Sequence, residues 1–312
     1  MTELIKNQRF GIEVELTGIS RSKAAKVVAE ALGSTRISGP SNGCYDKRVV
    51  RDSEGRDWII ERDSSIAPTH TDGSFAGDDH RVEFVTPVLS YKDIETHQNI
   101  IRALRKAGAV VNESCGIHIH VDGSNHNAAS LRRLVGFMVG RQDLIYDALN
   151  VGERKERWCR PVSKKLFRRM KAEGEITRTA AEQIWYSRAN DDYSYGIDHQ
   201  HYNSTRYHGL NLHAFFSKGT IEFRLFNSTL HAGKIKAYVQ FCLALSAWAI
   251  TSEDNFSFRS TKNYTAVQKE RLMHTLLTHR LGLSGKEFKT CRLHMLAELR
   301  KNAGLDAGAE AA

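Results

Sequence analysis

Proline is scarce in this chain: 312 residues hold four, and no Pro-rich linker sets one part off from another. Cysteine is nearly as sparse. The five thiols (Cys44, Cys115, Cys159, Cys242 and Cys291) are odd in number and nowhere spaced C-x-x-C, which argues against a disulfide framework and for free thiols in a reducing cytosol. Long apolar runs are missing too. The most apolar stretch, 237–250, is broken by Gln240 and Ser246 and falls short of the ~20 residues that span a bilayer. It reads as a buried helix, and no membrane partner is expected. The opening decapeptide MTELIKNQRF lacks the apolar core of a secretory signal, so a cytoplasmic location is the expectation. Neither G-x-x-x-x-G-K-[ST] nor G-x-G-x-x-G occurs. A bound nucleotide would need metal ions and arginines, not a glycine-rich loop, to hold its phosphates.

What is present is ordinary in bulk and unusual in detail. Hydrophobic residues make up 41% and charged residues 26%, which sets aside collagen-like, disordered and membrane-channel classes. Lys and Arg number 45 against 36 Asp and Glu, a formal charge of +9. That excess favours polyanionic partners such as nucleotides or nucleic acid without choosing between them. Patterning predicts strands over 10–16, 47–50, 58–61, 81–85, 117–121, 206–215 and 220–226. Helices are predicted over 20–32, 91–106, 128–149 and 153–171, and after the strand at 220–226 the remainder to about Lys301 is expected to be helical. Strands and helices intermix without a βαβ rhythm, so the expected class is α+β. With no composition break, one catalytic domain over 1–312 is expected: a core over about 9–250, C-terminal helices over 262–302 and a frayed tail over 303–312.

Several strands share one property: polar, metal-competent residues alternate with large apolar ones. In Gly11-Ile12-Glu13-Val14-Glu15-Leu16 the period of two puts both carboxylates on one face and the aliphatic residues on the other. Gly116-Ile117-His118-Ile119-His120-Val121 repeats this with imidazoles, and Thr220-Ile221-Glu222-Phe223-Arg224-Leu225 with a carboxylate and a guanidinium. Glu83 sits between Val82 and Phe84 in a further strand. Each motif alone has a plainer reading as a solvated face or a surface ion pair worth little. Their joint occurrence predicts instead that one sheet face gathers four carboxylates, two histidines and an arginine. Such a cluster is costly to bury unless cations neutralise it. Its oxygen-rich donor set suits Mg²⁺ or Mn²⁺ better than Zn²⁺, and metal plus arginine points to phosphate chemistry. A cupin-like site would place a glutamate shortly after H-x-H, and VDGSNHNAAS supplies none.

The ordered segments GIEVE (11–15), DSSI (63–66), EFVTP (83–87), CGIHIHVD (115–122), RYHGLNL (206–212) and TIEFRLF (220–226) together resemble the amidoligase family. That family belongs to the glutamine synthetase and γ-glutamylcysteine ligase superfamily of carboxylate–amine ligases. The resemblance covers about residues 9–250. It implies a curved, mainly antiparallel β-sheet with helices packed on one face and a helical C-terminal region. It also implies ATP and Mg²⁺ or Mn²⁺ as cofactors, and amide formation through an acyl phosphate. Carried onto this chain, it makes Glu13, Glu15, Glu83, His118 and Glu222 the metal ligands and turns His120 toward the nucleotide phosphates. Arg224 and Arg206 would contact the γ-phosphate and the acyl phosphate. Asp63 would sit at the amine end, where it could accept the amine's proton, and Asn211 would orient substrate or nucleotide. Thr86 stands where the family usually has serine before proline, and keeps the hydroxyl.

Outside that set, residues 153–171 carry Arg154, Lys155, Arg157, Arg160, Lys164, Lys165, Arg168, Arg169 and Lys171. This is either a solvated helix face or a surface for an anionic acceptor such as an acidic protein tail or nucleic acid. The substrates implied are a carboxylate and an amine, as small molecule, peptide or acidic macromolecule. Tyr193, Tyr195, His199, His201 and Tyr202 fall in an irregular segment expected to act as a lid. Two other readings stand beside the ligase: a guanidino-type kinase on a related sheet, and a noncatalytic basic nucleic-acid-binding module.

Overall fold

The computed structural model describes residues 1–194, 196–253 and 260–305. Tyr195 of the expected lid, residues 254–259 of the expected helical region and the tail from 306 onward lie outside the described residues. The first elements are α1 (Thr2–Lys6), β1 (Phe10–Leu16), α2 (Arg21–Ala31), β2 (Ile37–Ser38), β3 (Arg48–Arg51), β4 (Asp57–Glu61), β5 (Val82–Val85), α3 (Ile94–Lys106) and β6 (Gly116–Asp122). There follow α4 (Ala128–Leu149), α5 (Arg154–Arg157), α6 (Lys164–Ala172), α7 (Arg178–Trp185), β7 (Leu210–Asn211), α8 (His213–Lys218) and β8 (Thr220–Asn227). The chain then runs through α9 (Ala232–Thr251), α10 (Ala266–Thr275) and α11 (Lys289–Asn302). The class is α+β, and every strand register given below is antiparallel. No described helix is long and apolar enough to cross a membrane.

The chain divides into two compact units. The strand-rich unit comprises Arg9–Ile119 and Phe226–Lys236. Its strands run in the order β2-β3-β4-β5-β1-β6. Alternation decides which face is buried: Phe10, Ile12, Val14 and Leu16 of β1, Trp58 and Ile60 of β4, and Val82 and Phe84 of β5 are all at most 2% exposed. Helix α2 packs against β3, β4 and α3, and it buries Ala24, Ala25, Val28 and Ala29. Ser20 starts it by accepting the Lys23 N–H at 3.3 Å. Trp58 and Phe84 stack at 6.0 Å, and Phe84 stacks on His97 at the same distance. Full burial of each large apolar side chain contributes about 1.5–3 kcal/mol, enough in sum to carry a row of like charges on the other pleat. That row follows from register: Glu15 lies opposite Glu83, and Glu61 lies opposite Glu83 on its other flank.

The helix-rich unit comprises Met1–Gln8, His120–Leu225 and the chain from Ala237 on. Helix α4 is its centre and packs against α6, α7, α10 and α11. Asn127 and Ser130 form a reciprocal capping box at its start, each side chain accepting the other's N–H at 2.9 Å. Asn150, in the left-handed region at φ 48°, ends it. A buried polar chain runs beneath: Gln8 Nε2 donates to the Leu243 carbonyl at 2.8 Å, and Ser246 donates to Gln8 Oε1 at 2.5 Å. His126 bridges Ser246 at 2.8 Å and Ser130 at 3.0 Å. The residues of β6 from His120 onward, then β8 and β7, form this unit's strand order, with Leu210 opposite Phe223 and Asn211 opposite Glu222.

Two expectations are corrected. The strand over 206–215 shrinks to Leu210–Asn211, because Asn211 Oδ1 accepts the His213 N–H at 2.9 Å and turns the chain into α8. Gly219, at φ 78°, then closes that helix with a left-handed residue. The single basic helix over 153–171 is two, α5 and α6, since Pro161 disfavours helical backbone before it and Ser163 restarts the helix by accepting the Leu166 N–H at 2.9 Å. Helix α7 was not anticipated.

Candidate active site

In the strand-rich unit, β1, β5 and β6 bring Glu13, Glu15, Glu83 and His118 together, and Asp63 joins them from just beyond β4. His118 Nδ1 lies 2.8 Å from Glu13 Oε2, and its Nε2 lies 3.6 Å from Glu15 Oε1. Glu15 Oε2 also accepts the Gly116 N–H at 2.6 Å, which ties the carboxylate to the start of β6. One ligand atom from each of Glu13, Glu83 and His118 falls within 4.8 Å of the others, and the same holds for Glu15, Asp63 and Glu83. Glu83 belongs to both groups. Glu15 and His118 are 3% exposed, so a solvated face is not what the strands form here. Burial, then the charges of Glu13, Glu15, Asp63 and Glu61, pushes the Glu83 carboxyl well above the ordinary glutamate range.

Oxygen-rich groups with one imidazole suit a hard dication, and a positive ion would relieve the repulsion that raises Glu83. Cys115 stays out of the cluster: it is buried, and its thiol points to Asn112 Oδ1 at 3.6 Å. Asp63, expected at the amine end, stands with Glu15 and Glu83 and accepts the Ser65 N–H at 2.6 Å.

The helix-rich unit holds the other predicted residues. Glu222, Arg224 and Asn211 are 3%, 6% and 1% exposed. Arg224 donates to Glu222 Oε1 and Asn211 Nδ2 donates to Glu222 Oε2, each at 2.6 Å. The E-x-R motif thus makes a buried ion pair, a costly arrangement that needs such added hydrogen bonds. His120 Nδ1 is 2.9 Å from Thr220 Oγ1, with Nε2 3.9 Å from Glu222 Oε1. Arg206 donates to the His201 carbonyl at 2.8 Å, and its guanidinium lies 5.7 Å from the rings of Tyr202 and Tyr207. A pocket of about 220 Å³ is lined by Arg206, Asn211 and Glu222 together with His199, His201, His213 and Lys218.

His213 and its partner Tyr186 escaped sequence reasoning. Reading 206–215 as a strand hid the turn after Asn211 that sets His213 on the pocket wall. The sequence offers no signal for Tyr186, 27 positions earlier than its contact. Of the basic run, Arg154 is buried and Arg160 pairs with Asp191 at 2.7 Å. Lys155, Arg157, Lys164, Lys165, Arg168, Arg169 and Lys171 are exposed. Trp158 packs between Arg157, at 4.4 Å, and Tyr207, at 5.8 Å. The string Gly39-Pro40-Ser41-Asn42-Gly43 spells G-x-S-x-G but lies in the β2–β3 loop, where Ser41 Oγ accepts the Lys47 N–H at 3.1 Å. It is no strand-to-helix nucleophile elbow.

Residues 6–246 match the model of a family described as "putative amidoligase enzyme". No curated protein matches the sequence. The family match takes in every residue of both side-chain groups, and the chain belongs to the amidoligase family.

Proposed function

We propose that the protein is an ATP-dependent carboxylate–amine ligase, built on a glutamine synthetase-like catalytic sheet and forming an amide through an acyl phosphate. Two donor triads that share Glu83, inside a family match of this extent, carry the reading. Direct attack of an amine on a carboxylate fails because the carboxylate is anionic and hydroxide leaves poorly. In the proposed sequence a carboxylate oxygen attacks the γ-phosphorus of ATP and ADP departs. The amine nitrogen, having lost a proton, then attacks the acyl carbon, and phosphate leaves with the former carboxylate oxygen.

Glu13, Glu83 and His118 would hold one Mg²⁺ or Mn²⁺, and Glu15, Asp63 and Glu83 a second. When bound, such ions neutralise phosphoryl oxygens and align them for in-line transfer. We read Asp63 as a ligand in preference to the amine's proton acceptor, since one of its oxygens lies within 4.8 Å of an oxygen of Glu15 and of Glu83. In the helix-rich unit, Arg206 and Arg224 supply the cations for phosphoryl and acyl-phosphate oxygens. Glu222, itself held by Asn211, fixes the Arg224 guanidinium. Thr220 holds His120 by Nδ1, and Nε2 would meet a phosphate oxygen. The acceptor would be a small amine, a peptide or an acidic macromolecule drawn to the exposed cations of α6.

The test is a screen of amino acids, polyamines and peptides for ADP formation, with mass detection of the adduct. Ligation requires ADP to form only when a carboxylate and an amine are both present. ADP with a stable phosphorylated product from one acceptor would make the protein a kinase. Nucleic-acid binding with no ADP from any pair would make it a binding module.

A further inference from the structure

The pocket in the helix-rich unit contains a device that the ligase reading does not use. Tyr186 is 1% exposed, and its hydroxyl lies 2.7 Å from His213 Nδ1, its one hydrogen-bond partner among the described residues. A phenol left with an unpaired O–H in such a place loses the full desolvation cost of that donor. The hydroxyl therefore donates, Nδ1 accepts, and the ring proton is placed on Nε2. The rings of His199 and Phe216 pack beside Tyr186 at 5.7 and 6.0 Å, and His199 is itself held by Glu182 Oε1 at 2.6 Å. Burial drives the Tyr186 phenol up and brings the His213 imidazole down to about 4, so near neutrality the pair is a phenol and a neutral ring. The described residues supply no partner for His213 Nε2, and His213 lines the pocket with Arg206, Lys218 and His201.

We propose that His213 is a specificity-determining donor whose Nε2–H binds an oxyanion of the substrate, with Tyr186 as the positioning residue that fixes its tautomer. The shared chemistry is an anionic oxygen, belonging either to a carboxylate of the substrate or to a phosphate. A neutral donor beside Arg206 and Lys218 adds direction to a positive pocket without adding charge. Glu222 lines the same pocket, but Arg224 and Asn211 already engage its two oxygens at 2.6 Å. The inference rests on the ligase reading for the identity of the oxyanion, and on the pocket's own geometry for the donor.

The experiment measures binding by calorimetry, apart from turnover, on the full chain. Glutarate and inorganic phosphate are titrated separately into wild type, Tyr186→Phe, His213→Ala and His213→Gln, with melting curves to establish that each is folded. Nitrogen-15 spectra of the imidazoles report the tautomer. Wild type should bind one of the two anions and show His213 protonated at Nε2, and the tighter anion identifies the source. Losing a hydrogen bond to a charged group should weaken binding about ten- to a hundredfold in His213→Ala. Tyr186→Phe should weaken it about tenfold and mix the tautomers, while His213→Gln, which keeps a donor at similar reach, recovers most of the loss. A His213 proton on Nδ1 in wild type, equal affinities across the set, or no binding of either anion would overturn the proposal. If ADP forms with a carboxylate–amine pair while these affinities do not change, the ligase reading stands and this inference falls. If the affinities shift as expected while no pair yields ADP, the donor stands and the ligase reading falls.

Discussion

Replacing Glu83 by glutamine should make the metal-free protein more stable and remove most of its response to metal. The Glu83 carboxyl titrates well above its usual value of 4.5, first through burial and then through Glu13, Glu15, Asp63 and Glu61. Above that usual value the unfolded chain gives up a proton that the folded chain keeps. Stability then falls as pH rises, by up to about 1.4 kcal/mol per pH unit, until the folded group ionises in turn. Glutamine has no such dependence, so the gap between variant and wild type should widen from pH 5 to pH 8. Each 1 kcal/mol corresponds to about 2–4 °C of melting temperature in a domain of 150–250 residues. Metal acts in the opposite sense. At a Mn²⁺ concentration a hundredfold above Kd, wild type should gain about 2.7 kcal/mol. The variant should gain far less, because Glu83 contributes to both triads. The assay is thermal unfolding at four pH values with and without Mn²⁺. A glutamine variant that melts below wild type at pH 8 without metal, or that keeps the whole metal shift, would refute the reasoning.

Further outcomes follow from other residues. Glu222→Gln keeps an acceptor for Arg224 but loses the charge, and turnover should fall about a hundredfold, in line with the roughly 3 kcal/mol lost with a transition-state donor; His118→Ala should act alike, and near-normal kcat in either folded variant would remove the residue from the site. His126 is buried and its pKa is lowered to about 4 by that burial. Below about 6.5 the unfolded chain takes up a proton that folded His126 refuses, so stability is lost as pH falls from 6.5 to 4, by roughly 3 kcal/mol. Urea titrations of His126→Gln should show a flatter dependence, and an unchanged slope would contradict this. Limited proteolysis within 188–203 should slow when ATP, Mg²⁺ and both substrates are present together, and unaltered cleavage would end the lid idea. Changing Lys164, Lys165, Arg168 and Arg169 of α6 to serine should lower the salt dependence of binding to an acidic polymer while leaving ADP formation with small substrates intact. An unchanged salt slope would make that helix a merely solvated face.

Much of this was legible in the residues because strands write their faces in a period of two. Glu13 and Glu15 in β1, His118 in β6 and Glu222 in β8 each alternate with apolar neighbours; in β1 the buried Ile12 and Val14 flank a half-buried Glu13, whereas in β6 and β8 both faces are buried and His118 and Glu222 are as enclosed as Ile119 and Phe223. Helix α4 was readable from Ala128 to about Leu149 because its amphipathic pattern is long, and in the structure Asn127 caps its start. The failures have local causes. Over 206–215 the apolar pattern is also that of a buried turn, and a side-chain bond from Asn211 to the next backbone amide decides between them. The break at Pro161 was in plain view, but the run of cations around it masked the two helices. The place of Asp63 beside Glu15 and Glu83, and the pairing of Tyr186 with His213, depend on distant segments meeting. Periodicity says nothing about such meetings.

The measurement that bears most directly on the central claim follows oxygen. A carboxylate substrate labelled with oxygen-18 is incubated with ATP, Mg²⁺ and the amine found by the screen, and the released phosphate is analysed by mass. Activation through an acyl phosphate predicts one labelled oxygen in each phosphate formed, in step with amide. Phosphate that carries no label while amide accumulates would contradict it.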